Sequence, residues 1–336
     1  MRKVNNPRLL IIIWFLLLSS CQSRSSEVDH HINILYSPGE LSDGIHDISI
    51  FFFKSSGFGS EINIRNLVNS NINHYQNAYY IPFLDVSDDG QNIVFAQIAR
   101  GNDERPFLLW LYKFSDGKER KIAGWDYGYS VVSISNPAFS YDENNILFSV
   151  TWFSTGRTGL ARVNRDGSDL VILETDIPLA EGPEPSPDGS MILVTCAGVD
   201  KISGNPAFHI CLLDQEGSFI KFISDTGDVH GSYYFLPNGK SIVYNELRSG
   251  GIFGILNKPE YYFYLYDLDS GERIKLLDWE VIVKGFSNDS EQIIFQGRPK
   301  DKSPWGIYIM NTDGTNLRHL AYFDEFLEDW YSDNDD

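Results

Sequence analysis

Five short segments of the chain share one order of polar and apolar positions: a turn residue, a cluster of Asp, Asn and Gly, then an apolar run of β-type residues. They read SDDGQNIVF from Ser87, SYDENNILF from Ser140, SPDGSMILV from Ser186, LPNGKSIVY from Leu236 and SNDSEQIIF from Ser287. Their starts lie 53, 46, 50 and 51 residues apart. Each run is short, bounded by turn formers and rich in β-branched residues, which predicts a buried strand rather than a helix. A variable loop follows, then a second apolar run with aromatics, an acidic glycine turn and a last short run. These final turns are Ser115-Asp116-Gly117, Arg165-Asp166-Gly167, Gln215-Glu216-Gly217, Asp269-Ser270-Gly271 and Thr312-Asp313-Gly314. Asp-Gly and Ser-Gly between apolar runs predict tight hairpins, because these residues tolerate the positive φ that primed turns require. NRDGSD and NTDGTN also alternate oxygen side chains around Gly, as calcium loops do, but lack the full loop with its terminal Glu.

A four-strand unit recurring every 40 to 50 residues or so predicts an all-β propeller with one blade per repeat. Five full blades are visible. Glu328-Asp329-Trp330-Tyr331-Ser332-Asp333 looks like the first strand of another repeat, whereas Asp47–Phe53 and Glu61–Ile64 look like later strands without a first one. Joining them predicts a six-bladed β-propeller of four-stranded antiparallel blades over residues 32–336, closed by the N- and C-terminal segments. Closure removes the sheet edges that invite aggregation. Pro185-Ser186-Pro187-Asp188-Gly189 with its following strand, and Ile307-Tyr308-Ile309-Met310-Asn311-Thr312-Asp313-Gly314 in the last blade, resemble the repeat of TolB-like propellers. The resemblance covers nearly all of residues 81–333; Leu236 and Ser290 depart from its Ser-Pro-Asp-Gly core. It implies an architecture more firmly than a role.

The first twenty residues stand apart from the repeats. Arg2, Lys3 and Arg8 accompany an apolar run, Leu9 to Leu18, too short to span a bilayer, so residues 1–20 read as a signal peptide. Leu18-Ser19-Ser20-Cys21 resembles the lipobox of bacterial lipoproteins, which implies acylation of Cys21 and anchoring by several acyl chains. Gln22, rather than Asp, points to the outer membrane. Residues 21–31 are polar and read as a lipidated cysteine with a flexible tether. Loss of the signal takes 27 basic residues to 24 against 46 acidic ones, a net charge of −22. Nucleic acid is therefore not an expected partner, and the acyl group rather than charge is the expected membrane link. Cys196 and Cys211 lie on the two strands of one predicted hairpin; a cross-strand disulfide and two buried thiols are both open.

The repeat also sorts loops between two ends of the ring. Hairpin turns collect Asp88, Asp89, Asp116, Asp142, Asp166, Asp188, Asp267, Asp269, Asp289 and Asp313 at one end. The middle loops collect Arg100, Arg105, Arg157, Lys201, Arg248, Lys258, Arg298, Lys300 and Lys302 at the other. Between blades at that second end, the candidate binding face comprises Trp125, Tyr127, Tyr129, Glu181, Glu184, Asp228, His230, Trp279 and Glu280. Aromatics in loops on a rigid frame are typical of recognition surfaces. No GxSxG, HExxH, paired CxxC or GxxxxGK[ST] motif occurs, so no catalytic residue, cofactor or metal is expected. The expected function is a monomeric, lipid-anchored, non-catalytic scaffold for a protein or peptide of the bacterial envelope. The alternatives are carbohydrate or metabolite binding by the aromatics, and a metal-dependent polysaccharide lyase-like or hydrolytic enzyme with His230 at the axial mouth.

Overall fold

The computed structural model describes residues 32–36, 49–54, 57–63, 84–87, 91–97, 107–113, 115, 118–125, 131–152, 155–200, 204, 206–224, 233–248, 260–287, 289–300 and 305–322. All regular structure among them is β. Five sheets have four antiparallel strands each, paired in chain order. Blade I comprises Leu84–Val86, Asn92–Gln97, Phe107–Lys113 and Lys118–Trp125. Blade II comprises Val131–Phe139, Asn145–Trp152, Thr158–Asn164 and Val171–Leu173. Blade III comprises Ala180–Pro185, Met191–Val199, Pro206–Asp214 and Phe219–Phe222. Blade IV comprises Tyr233–Phe235, Ser241–Arg248, Glu260–Asp267 and Arg273–Leu277. Blade V comprises Glu280–Phe286, Gln292–Arg298, Gly306–Asn311 and Arg318–Tyr322.

A three-stranded N-terminal sheet joins Ile32–Tyr36, Ser49–Lys54 and Gly57–Asn63 in that order. Its second and third strands overlap the two expected from sequence, and its first adds to them. The C-terminal segment 328–333, expected to complete this sheet, lies outside the described residues.

Both faces of the blades are covered, which explains why the strands read as apolar runs rather than alternating ones. Ile134 and Phe148 meet Val94 and Leu109 between blades I and II. Leu147 and Leu160 meet Ile192 and Val194 between II and III. Leu193 and Ile210 meet Tyr233 and Tyr244 between III and IV, and Val243 and Phe263 meet Val283 and Phe295 between IV and V. A fully buried side chain of this size contributes about 1.5–3 kcal/mol, so the interfaces between blades carry the ring. Within blade III the Cys196 and Cys211 sulfurs are at bonding distance, 1.91 Å, across adjacent strands with Cα atoms 5.9 Å apart.

The recurrent turn has a hydrogen-bonding reason. Ser186 Oγ donates to Asp188 Oδ1 at 2.7 Å and accepts the Met191 N–H at 2.9 Å. Ser140 does the same with Asp142 at 2.6 Å and Asn145 at 3.0 Å, and Ser287 with Asp289 and Gln292. The serine caps the start of the second strand while the aspartate fixes the serine. Acidic residues in the last hairpins act alike: Asp166 Oδ1 accepts the Ser168 N–H at 2.9 Å and Asp313 Oδ1 the Thr315 N–H at 2.8 Å.

Candidate functional site

Strand direction places the hairpin turns at one end of each blade and the middle loops and blade-to-blade links at the other. At this loop end, blades IV and V carry a cluster of charge around tyrosines. Glu280 opens the first strand of blade V and pairs across the sheet with Arg298. Burial raises the Tyr261 phenol above its ordinary pKa; Glu280 adds to that shift and Arg298 opposes it. Lys300 Nζ stands 2.9 Å from Asp278 Oδ2, and its hydrogen bond holds that carboxyl below the ordinary range. The Tyr262 ring has the Lys275 and Lys300 ammonium groups 5.4 and 5.6 Å from its centroid, within cation–π range. Its hydroxyl donates to the Glu260 carboxylate. Glu260, Lys275, Arg298 and Lys300 are exposed. This alternation of sign on a rigid strand frame can recognise another polar protein surface.

The ring axis carries a second polar group, placed there by irregular innermost strands. Pairing slips between Ser135 and Ala138 in blade II, between Glu181 and Glu184 in blade III, and between Val283 and Gly285 in blade V. Such bulges add an unpaired residue and re-aim side chains. Gly182 lies in the blade III bulge at φ 66°, where a Cβ would come 2.8 Å from the Tyr233 hydroxyl. That hydroxyl bonds to the Gly182 carbonyl and lies 3.0 Å from the Glu181 carbonyl, fastening the bulge to blade IV. Asp85 Oδ2 accepts the Phe139 N–H at 2.8 Å, joining blades I and II. Burial raises the Tyr234 phenol, and the carboxylates of Glu184 in blade III and Asp85 in blade I raise it further. Lys284, the extra residue of the blade V bulge, is pulled down to about 8 by burial.

Of the residues singled out from sequence, the structure brings Glu181 and Glu184 to the axis and Glu280 to the loop end. Trp279 is half-buried and packs edge-on against Tyr308, ring centroids 5.1 Å apart, which makes it part of the blade V core rather than a free stacking surface. Trp125 ends the outermost strand of blade I, opposite Phe107. Cys21, Tyr127, Tyr129, Asp228 and His230 lie outside the described residues. Of the middle-loop cations, Arg157, Arg298 and Lys300 are exposed. Sequence reasoning missed Asp85, Tyr234 and Lys284, although all three sit shortly before a repeat turn and therefore on a first strand. Among the described residues, no three His, Cys, Asp or Glu side chains converge as a metal site, and no helix is long and apolar enough to cross a membrane.

No protein-family pattern matches this sequence, and no curated protein does. Among solved structures, the chain is similar to a protein assigned as TolB from Agrobacterium tumefaciens, with 16% identity and a TM-score of 0.50 over 71% of this chain and 80% of that one. It is also similar to oligogalacturonate lyase from Vibrio parahaemolyticus, with 12% identity and a TM-score of 0.55 over 89% and 80% of the two chains. An oligogalacturonate lyase in complex with manganese matches with 13% identity and a TM-score of 0.51 over 88% and 78%. The chain has the fold of TolB-like β-propellers. At these identities the likeness is one of fold, which the same frame lends to unrelated roles.

Proposed function

We propose that this protein is a lipid-anchored, non-catalytic β-propeller of the bacterial envelope that binds a protein or peptide at its loop end. The observation that carries this reading is the cluster around Tyr262, where Glu260, Lys275 and Lys300 surround a half-buried ring and Arg298 stands nearby. Mixed charges beside tyrosine on a preformed frame suit a polar partner at little ordering cost. The Leu18–Cys21 lipobox supports the anchor, and a bridge between Cys196 and Cys211 suits an oxidising envelope compartment. The outer membrane is the proposed site, given Gln22 after the cysteine. The test is fractionation and crosslinking of cells expressing the tagged full chain, beside Cys21→Ala. Wild type held in membranes with a discrete envelope protein, and Cys21→Ala released without it, is the expected result; equal membrane retention of both removes the anchor.

A second reading, an acidic glycan as ligand, draws on the likeness to oligogalacturonate lyases and on exposed Arg157, Arg298 and Lys300 at the same end. Oligogalacturonate titrated into the purified full chain would bind through these cations and lose affinity with salt.

A further inference from the structure

The five blades can be aligned on the residue that opens the last hairpin: Asn164, Asp214, Asp267 and Asn311 each donate their N–H across that turn, and Lys113, paired with Lys118 across it, stands at the same place in blade I. Two residues earlier, the third strands carry Leu111, Arg162, Leu212, Leu265 and Ile309. Leu212 and Ile309 are buried, and Leu265 packs against the core between blades IV and V. Blade II therefore places a guanidinium where the fold elsewhere places an aliphatic side chain. A local rule broken without a structural gain marks a functional position.

Nothing in the fold answers that charge. Arg162 is half-buried opposite Leu147, and among the described residues it makes no hydrogen bond or ion pair. It lines a cleft of about 270 Å³ between blades II and III, open at the turn end. Leu147, Met191 and Ile192 supply apolar lining, and Asp142 and Asp188 stand in the same wall. Their carboxyls are held below the ordinary range by turn hydrogen bonds, Ser140 first for Asp142 and Ser186 first for Asp188, with no contribution from Arg162. The cleft thus offers a forked cationic donor and two separate carboxylates.

We propose that this cleft binds a small zwitterion of the α-amino acid class, its carboxylate on Arg162, its ammonium toward Asp142 and Asp188, and an apolar side chain against Leu147 and Ile192. The fork of arginine suits a carboxylate in two parallel bonds. The flanking carboxylates disfavour a dianion such as phosphate and favour a ligand that carries its own cation. The volume suits a single residue rather than an extended chain. This site lies at the opposite end of the ring from the loop-end face and does not depend on it.

Isothermal titration of the full chain in detergent with L-leucine, leucinamide, N-acetylleucine, galacturonate and inorganic phosphate tests the proposal. L-leucine should bind, leucinamide should fail for want of the carboxylate, and N-acetylleucine, galacturonate and phosphate should bind at least about tenfold more weakly. Arg162→Leu restores the residue type of blades III and IV, so its melting temperature should be equal or higher while leucine binding is lost. Arg162→Lys keeps the charge without the fork and should bind about tenfold more weakly. The proposal is overturned if no probe binds wild type at about 10 mM, if leucinamide or galacturonate matches leucine, or if Arg162→Leu binds leucine like wild type.

Discussion

Ser290 Oγ accepts the Asn238 backbone N–H at 2.9 Å, so the turn of blade V reaches across to the turn of blade IV. Both turns depart from the repeat. Blade IV has Leu236 in place of serine, buried in the core between blades IV and V, and blade V has Ser290 in place of glycine, at φ 62°. One departure gives the core a leucine; the other ties the altered turn to its neighbour. Ser290→Ala keeps the backbone strain but loses the acceptor and should cost about 1 kcal/mol in urea unfolding. No change would mean that the two turns are energetically independent.

Ser186 is fully buried and serves two partners, so Ser186→Ala should cost about 1–3 kcal/mol, since it leaves the Met191 N–H without its acceptor. It should also raise the Asp188 carboxyl, because the Ser186 hydroxyl is the largest cause of its depression. A depressed carboxyl contributes stability that is present above the ordinary carboxylate pKa of about 4 and is lost as pH falls through the folded value. Wild type should therefore weaken below pH 4 or so, and Asp188→Asn should weaken less steeply there. NMR titration of the carboxyl checks the first effect and acid unfolding the second.

Glu246 is fully buried and pairs with Arg273 at 3.0 Å, whose guanidinium lies 4.4 Å from the Tyr264 ring centroid. Arg273→Ala strips a partner from a buried carboxylate and should cost about 3 kcal/mol or more. Glu246→Gln in the same chain should recover part of that loss by removing the charge. A double-mutant cycle in urea reads the coupling; additive losses would show that the two residues act separately.

Lys284 should make stability rise with pH. Its folded pKa of about 8 lies below the ordinary lysine value near 10.4, so the folded state binds fewer protons through that window. The penalty is full below pH 8 or so and fades as pH climbs toward that ordinary value. Lys284→Met should raise stability near neutrality by about 2 kcal/mol, after a discount for partial solvent contact. The variant should also lose the upward slope between about pH 8 and 10. A variant with unchanged slope would place the titration elsewhere.

Much of the fold was legible because one hydrogen-bonded turn recurs. Ser140, Ser186 and Ser287 announce the second strand of their blades through the bond to residues 145, 191 and 292. The axis was less legible. A bulge inserts one residue without disturbing apolar patterning, so only Pro137, Gly182 and Gly285, residue types that strands accept at bulges, hint at the slips in pairing. Trp279 stands in a link between blades, where sequence leaves stacking on a ligand and packing between blades both open; its ring packs edge-on against Tyr308. Arg162 could have been found by aligning third strands on their closing hairpins, because charge at an apolar register position is visible in sequence once the register is known.

On the proposed function, the charges of the loop end capture the partner. Arg298→Glu with Lys300→Glu reverses two exposed charges there, whereas Asp166→Lys with Asp313→Lys does the same at the turn end. Crosslinked capture from cells carrying the anchored full chain should lose the partner in the first double variant and keep it in the second, with both folded by circular dichroism. Capture that survives reversal at the loop end, or that fails only with reversal at the turn end, would show that the partner docks elsewhere.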